Sequence, residues 1–352
     1  MFKNAIRRIE KFIDKLKIGI KKRFNLFDPI IIYPYHGFAN EHEVSLTGRV
    51  LEQQGILDEF NEPKNIFSKI WYMILRYESD ELPFLKLKIT VDGNSVETTT
   101  NEEGFYHINI PYDGNDKTGW QKAYFEVAEN PYTNQKNITA TGEFIVAGKQ
   151  SDLMIISDVD DTILKSFATN TYLKIKTLVF NNASSRVAFE GVPKLYQNLQ
   201  ANPDGRVNPL FFVSGSSWNL YDLLDRFCRT HDIPKAPFFL REMGIDNNMF
   251  IQHKTHDFKL NKIKELLEFY PNIPVVFIGD SGQKDPEVYH KLAMENPGRV
   301  KAIFIRQISP GVNDDRKKMI EELKKHDTDL IFVDHSDKIK NYLKQEELVD
   351  KY

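Results

Sequence analysis

The stretch Ser151-Asp-Leu-Met-Ile-Ile-Ser-Asp-Val-Asp-Asp-Thr-Ile163 decides the reading of this chain. An apolar run, Leu153 to Ile156, ends in acids and a hydroxyl at alternate positions. Alternate side chains of an extended segment share a face, so Asp158, Asp160 and Thr162 can converge on one ligand. Five more apolar runs follow, each separated from the last by helical spacing: Pro209–Val213, Phe238–Leu240, Val275–Ile278, Ala302–Ile305 and Leu330–Val333. That alternation predicts an α/β fold with a parallel sheet flanked by helices, over residues 151–352. In such sheets ligands bind beyond the carboxyl ends of the strands, so the polar residues that end these runs are the candidates for chemistry.

Three further segments fit that rule. Phe211-Phe-Val-Ser-Gly-Ser-Ser217 runs into a predicted helix, Trp218 to Phe227, and offers Ser214, Gly215 and free helix N–H groups as a phosphate cradle. Lys259 to Glu268 reads as a basic helix that can supply an ammonium to neutralise phosphate. Phe277-Ile-Gly-Asp-Ser-Gly-Gln-Lys-Asp-Pro286 contributes a second acidic pair, Asp280 and Asp285. Carboxylates gathered beside an anionic phosphate repel one another, and a hard divalent cation with oxygen ligands relieves this, so Mg2+ is the expected cofactor at Asp158, Asp160, Asp280 and Asp285. One carboxylate of the first pair can then act as nucleophile while the other moves a proton. An Asp-x-Asp-x-Thr string alone could be loop punctuation; four such pieces in order, at strand ends or on the helix between, point to a site. His253 and His256 do not suggest zinc, having no cysteine nearby and no adjacent ligand pair.

The rest of the 352 residues divides in two. Residues 2–27 hold nine Lys and Arg against Glu10 and Asp14, an excess of seven positive charges that leaves ten net negative charges on the rest of a chain whose total is −3. Phe2, Ile6, Ile9, Ile13, Leu16 and Ile20 recur every three or four residues, so residues 1–29 read as a basic amphipathic helix. It could lie in the headgroup layer of an anionic membrane or dock on protein. Residues 30–150 change to short alternating runs bounded by turn residues, which predicts a small β-sandwich. Asp92-Gly93 suits a tight type I′ hairpin and Asn101 to Gly104 a second turn. Helical spacing from Ile66 to Tyr77 predicts an inserted helix, and nothing in residues 30–150 looks catalytic. The near-neutral total gives no general preference for nucleic acid. No window reaches the roughly 18 apolar residues of a spanning helix. Cys228 is the only cysteine, so no intrachain disulfide can form and a cytoplasmic setting, peripheral on the membrane, is expected.

Asp158-x-Asp160-x-Thr162, Ser214, a helix lysine and Gly279-Asp280 with Asp285 resemble the four ordered motifs of the haloacid-dehalogenase superfamily. Together with Val213 to Asp222, Pro237-Phe-Phe-Leu-Arg241, Gly279 to Tyr289 and Ile303-Phe-Ile-Arg306, they resemble the actin-patch-type phosphatidate phosphatases over about residues 34 to 310. That resemblance implies a haloacid-dehalogenase-like sheet with a short cap, preceded by a β-sandwich-like region. It implies that Asp158 becomes an aspartyl phosphate and that Asp160 protonates the departing alkoxide and then activates water. It implies that Asp158 and Asp280, with the main-chain carbonyl of Asp160, hold Mg2+, supported by Asp285, and that Ser214 and a lysine bind phosphate. Lys259 sits at the expected distance before Tyr270-Pro271, while His253-Lys254 matches the family's own His-Lys pair; Lys259 is preferred. Arg241 and Arg306, just past apolar strands, could hold a second phosphate or a carboxylate of the domain. The stretch Ser166 to Glu190 is too short for a large lid, which suits a bulky substrate such as a lipid headgroup, and the segment through Asn181 to Arg186 could close over it. The expected activity is release of phosphate from phosphatidate; the alternatives are a phosphatase for a soluble phosphomonoester or phosphoprotein, and a non-catalytic phosphatidate-binding module.

Overall fold

The computed structural model describes residues 18–19, 21, 23–24, 26–53, 82–114, 117–147, 151–163, 189–201, 207–241, 252–308 and 314–348. The expected N-terminal helix therefore lies largely outside the described residues, although 18–19, 21 and 23–24 are helical. The helical insertion at 66–77 and the stretches at 166–188 and 181–186 lie outside them too.

Eight strands come first: Ile30–Pro34 (β1), Gly37–Ala39 (β2), Glu43–Glu52 (β3), Lys86–Val91 (β4), Asn94–Thr99 (β5), Phe105–Pro111 (β6), Gly119–Glu129 (β7) and Thr139–Val146 (β8). Their side chains alternate in and out, as in β4, where Leu87, Ile89 and Val91 are buried between exposed or half-exposed Lys86, Lys88 and Thr90. Both Asp92 and Gly93 have positive φ, 53° and 81°, the backbone a type I′ turn needs between β4 and β5. By hydrogen bonding these strands form one sheet rather than the two of the expected sandwich. β1 and β2 share one edge of β3, β6 takes its other edge, and β2 leads through β8 and β7 to β4 and β5. β5 and β6 approach each other, and the strands pack around a core that includes Leu46, Leu87, Ile89, Tyr106, Phe125 and Phe144.

The six apolar runs all form strands of one parallel sheet: Met154–Ser157 (β9), Leu210–Ser217 (β10), Phe238–Arg241 (β11), Val275–Asp280 (β12), Val300–Arg306 (β13) and Asp329–Val333 (β14). Their spatial order is β11-β10-β9-β12-β13-β14, so the chain builds outward from β9 in one direction and then resumes on its other side at β12. The crevice at this reversal, between the carboxyl ends of β9 and β12, is where doubly wound sheets bind ligands. Helices Val192–Gln200 (α1), Tyr221–Thr230 (α2), Gln252–Phe269 (α3), Asp285–Glu295 (α4), Asp314–Lys324 (α5) and Ser336–Gln345 (α6) connect and flank the strands. Two cores result, one on each face of the sheet.

The two sheets are joined by a packed contact. The Tyr35 ring stacks on Trp218 at 4.4 Å and 6°, and Phe38 inserts among Phe211, Phe239 and Phe269. The Tyr270 hydroxyl donates to the Ala39 carbonyl at 3.0 Å, and Asn40 Nδ2 to that of Phe269 at the same distance. Tyr35 and Phe105 count among the core residues on one face of the parallel sheet, so burial there is continuous between the sheets.

Candidate active site

Asp158 follows β9 directly, and its N–H donates to the Ile278 carbonyl of β12 at 2.9 Å, which ties the two central strands together where the acids begin. Asp280 is the last residue of β12, and Asp285 opens α4 five residues later. Strand pairing and that short connection bring together residues over 120 positions apart. Oxygens of Asp158, Asp280 and Asp285 lie within 4.8 Å of one another, and all three residues are buried. Gly279 permits the approach: a Cβ there would sit 2.7 Å from both Asp285 Oδ2 and a ring carbon of Tyr289.

Lys259, on α3, is 2 % exposed and places Nζ 2.7 Å from Asp158 Oδ1 and 2.6 Å from Asp285 Oδ1, with Gln283 Oε1 at 3.5 Å. Asp285 Oδ2 accepts the Asp280 N–H at 3.2 Å, and Asp280 Oδ1 accepts the N–H groups of Gly282 and Gln283 at 2.6 and 3.0 Å. Burial pushes the Asp158 carboxyl well above its ordinary range; Lys259 opposes this, while Asp285, Asp280 and Asp160 push it further up. Burial alone would weaken the Lys259 ammonium, but Asp158, Asp285 and Asp280 outweigh it and raise its pKa.

Asp160 stands apart from this group. Its Oδ2 accepts from the hydroxyls of both Ser214 and Ser216 at 3.2 Å, and the Ser216 N–H in turn donates to Ser214 Oγ at 3.0 Å. Gly215 lies between these two serines near the end of β10. Thr162 donates to Asp158 Oδ2 at 3.4 Å, and Asp161, between the two, takes a left-handed backbone with φ 58°. Ser157 fixes the motif from beneath, donating to the Asp158 carbonyl at 2.7 Å with its own oxygen 2.6 Å from the Tyr196 hydroxyl.

The sequence-predicted residues Asp158, Asp160, Thr162, Ser214, Lys259, Asp280 and Asp285 are thus neighbours at the carboxyl end of the sheet. Among the described residues the three-carboxylate group is Asp158, Asp280 and Asp285, and the Asp160 side chain serves the serines instead. Lys254 lies on the backbone of α3, but its side chain is outside the described residues. Arg241 ends β11 in register with Ser217, half-buried beside the serine loop. Arg306, in register with Asp280, is committed to structure: it donates to the Ser336 hydroxyl at 3.1 Å and the Asp334 carbonyl at 3.5 Å and covers the Phe189 ring. Ser216 and Gln283 were missed as site residues, although each lies inside a motif already singled out. From residues 30–150, Arg49 of β3 donates to Asn219 Oδ1 at 2.9 Å, two residues past the serine loop, a contact that the sequence did not suggest.

The donor set suits a hard divalent cation. Three buried carboxylates face one ammonium, an excess of two negative charges if all ionise, and every candidate ligand atom is oxygen. Opposite, two serine hydroxyls hold a fourth carboxylate beside a strand end. Chemically, such a group of side chains can offer a nucleophile, a proton carrier, hydroxyl donors and cationic neutralisation close together.

Residues 153–307 match the family model described as "Phosphatidate phosphatase APP1, catalytic domain". The chain is 29% identical over 160 residues to the phosphatidate phosphatase APP1 of Saccharomyces cerevisiae, covering 46% of this chain and 27% of that protein. It is 25% identical over 264 residues to an uncharacterized protein of Schizosaccharomyces pombe, covering 73% and 39% respectively. The chain therefore spans well under half the length of these curated relatives. A carbohydrate acetylesterase from Xanthomonas citri aligns over 84% of this chain and 66% of that one, at 9% identity and a TM-score of 0.31, too low to carry weight.

Proposed function

We propose, from the match of residues 153–307 to the APP1 phosphatidate phosphatase catalytic-domain model, that this chain is a Mg2+-dependent phosphomonoester hydrolase of haloacid-dehalogenase type that converts phosphatidate to diacylglycerol and phosphate at a membrane surface. One observation carries the chemical part: Lys259 bridges Asp158 and Asp285 beside Asp280, while Asp160 is held separately by two serine hydroxyls. Two carboxylates two residues apart are thereby given different surroundings, as different roles require.

Asp158 would attack the phosphorus, forming an aspartyl phosphate as the bond to the lipid oxygen breaks. Asp160 would give that oxygen its proton. With Oδ2 committed to Ser214 and Ser216, the proton belongs on Oδ1. Asp160 would then take a proton from water as the water oxygen attacks the same phosphorus, releasing phosphate and restoring Asp158. Lys259, Ser214 and Gly215 would hold the phosphoryl oxygens. Mg2+, held by Asp158, Asp280 and the main-chain carbonyl of Asp160 with Asp285 in support, would supply charge neutralisation. At the membrane, the basic N-terminal segment would provide the attraction; Phe24 and Leu26 at its end are 64% and 59% exposed. No described helix is long and apolar enough to cross a membrane.

The test is phosphate release from phosphatidate vesicles and from soluble phosphomonoesters, with and without Mg2+, using Asp158→Asn as the blank. The expected result is metal-dependent turnover that favours the vesicles and is absent in the variant. A preference for soluble esters would overturn the lipid assignment, and vesicle binding without turnover would make the chain a binding module. Deleting residues 1–27 should weaken flotation on anionic vesicles; unchanged flotation would refute the anchor.

A further inference from the structure

The first sheet reaches the turn that follows the serine loop at three points. Trp218 is stacked under Tyr35; Asn219 receives the Arg49 guanidinium; and the Tyr221 hydroxyl accepts the His36 N–H at 3.0 Å. These residues form the 3-10 turn Trp218–Leu220 and the start of α2, immediately after Ser214, Ser216 and Ser217. The turn is fastened back to the loop as well, because the Asn219 N–H donates to Ser217 Oγ at 3.2 Å. Arg49 is 5% exposed and is itself fixed, with Nε donating to the Glu103 carbonyl at 3.0 Å and its guanidinium 4.6 Å from the Phe105 ring centre. A buried, multiply bonded guanidinium is a rigid strut. Its bond across the sheets falls on Asn219, whose N–H is capped by Ser217 at the end of the serine loop.

We infer that Arg49 is a positioning residue: through Asn219 it sets the loop that aims Ser214 and Ser216 at Asp160, so the first sheet is part of the catalytic unit. This rests on the proposed phosphatase reading. The reasoning is geometric. Two hydroxyls reach one carboxylate oxygen at 3.2 Å, and displacement of reacting groups by about 1 Å can cost about 100-fold in rate.

The experiment uses the full chain with p-nitrophenyl phosphate and Mg2+. kcat and KM are measured for Arg49→Met, Asn219→Ala and the double variant, well below the lowest melting temperature of the set. Asn40→Ala is the control, because it loosens the same contact between sheets at α3, away from the serine loop. Arg49→Met and Asn219→Ala should each lower kcat by about tenfold or more, and the double variant should be no worse than the poorer single one, as expected of residues acting through one link. Asn40→Ala should lower Tm while keeping both kinetic constants. Asn219→Ala keeps the test alive if Arg49→Met does not fold. Wild-type kinetics in the Arg49 and Asn219 variants, or an equal rate loss in Asn40→Ala, would overturn the inference alone. Wild-type turnover no greater than that of Asp158→Asn would overturn it together with the reading beneath it.

Discussion

Removing Mg2+ should cost the folded protein roughly 5–10 °C of melting temperature. Asp158, Asp280 and Asp285 crowd their oxygens within 4.8 Å, and Lys259 is the ammonium that answers them. With all four groups ionised the cluster keeps two uncompensated negative charges in a buried place, and burial is already the main force pushing the Asp158 carboxyl toward its neutral form. A cation that binds only the folded state, at about 100 times its dissociation constant, adds about 2.7 kcal/mol. For a domain the size of residues 151–352, each kcal/mol moves Tm by about 2–4 °C. The assay is thermal denaturation followed by circular dichroism, first in EDTA and then along a MgCl2 titration. Asp280→Asn should lose most of the rise. Asp158→Asn should melt above the wild type in EDTA at neutral pH, because it removes the ionisation that burial opposes. The sign follows from linkage: a carboxyl whose folded pKa is raised contributes stability that is fully present below its unfolded value and is lost as pH rises through the folded one. Asp158→Asn should therefore flatten the decline in apo stability above pH 4. A wild-type Tm that ignores Mg2+, or an Asp280→Asn protein that responds as fully as the wild type, would refute the electrostatic reasoning.

Gly279→Ala adds a Cβ 2.7 Å from Asp285 Oδ2 and from the Tyr289 ring. It should destabilise by about 1–3 kcal/mol, as overpacking does, and lower turnover by displacing Asp285; an active variant of wild-type stability in urea denaturation would contradict this. His36 is partly buried at the contact between sheets, and its pKa is lowered chiefly by loss of solvent, with Lys235 adding to it and Asp225, Glu143 and the Ala236 backbone opposing. The unfolded chain takes up this proton near pH 6.5 while the folded one resists, so stability should fall as pH drops below about 6.5. His36→Gln should show a shallower fall in Tm between pH 7 and pH 5.5; parallel curves would remove His36 as the cause.

The parallel sheet was legible because strands buried on both faces must be apolar throughout, and all six runs were. The motif residues were legible for a related reason: chain reversal at a strand end leaves few positions for polar groups, so Asp158, Ser214 and Asp280 stood out. Lys259 against Lys254 was decided on spacing, and the described site contains Lys259 because α3 turns that residue inward between two carboxylates. Less was legible in residues 30–150, where alternation specifies a buried face but not which strands pair, so one continuous sheet and two packed sheets share the same pattern.

By itself, the sequence determined what local periodicity and strand-end chemistry can encode: the α/β class, the strands, and the acids, serines and lysine grouped at one edge. The tertiary structure decided the rest, since each remaining question concerned partners distant in the chain. It assigned Asp160 to the serines and Asp285 to Lys259, turned Arg306 to a structural task, and brought Arg49 from another sheet to the turn that follows the serine loop. Such choices depend on which surfaces meet when both cores are buried at once, and no spacing along one segment records that.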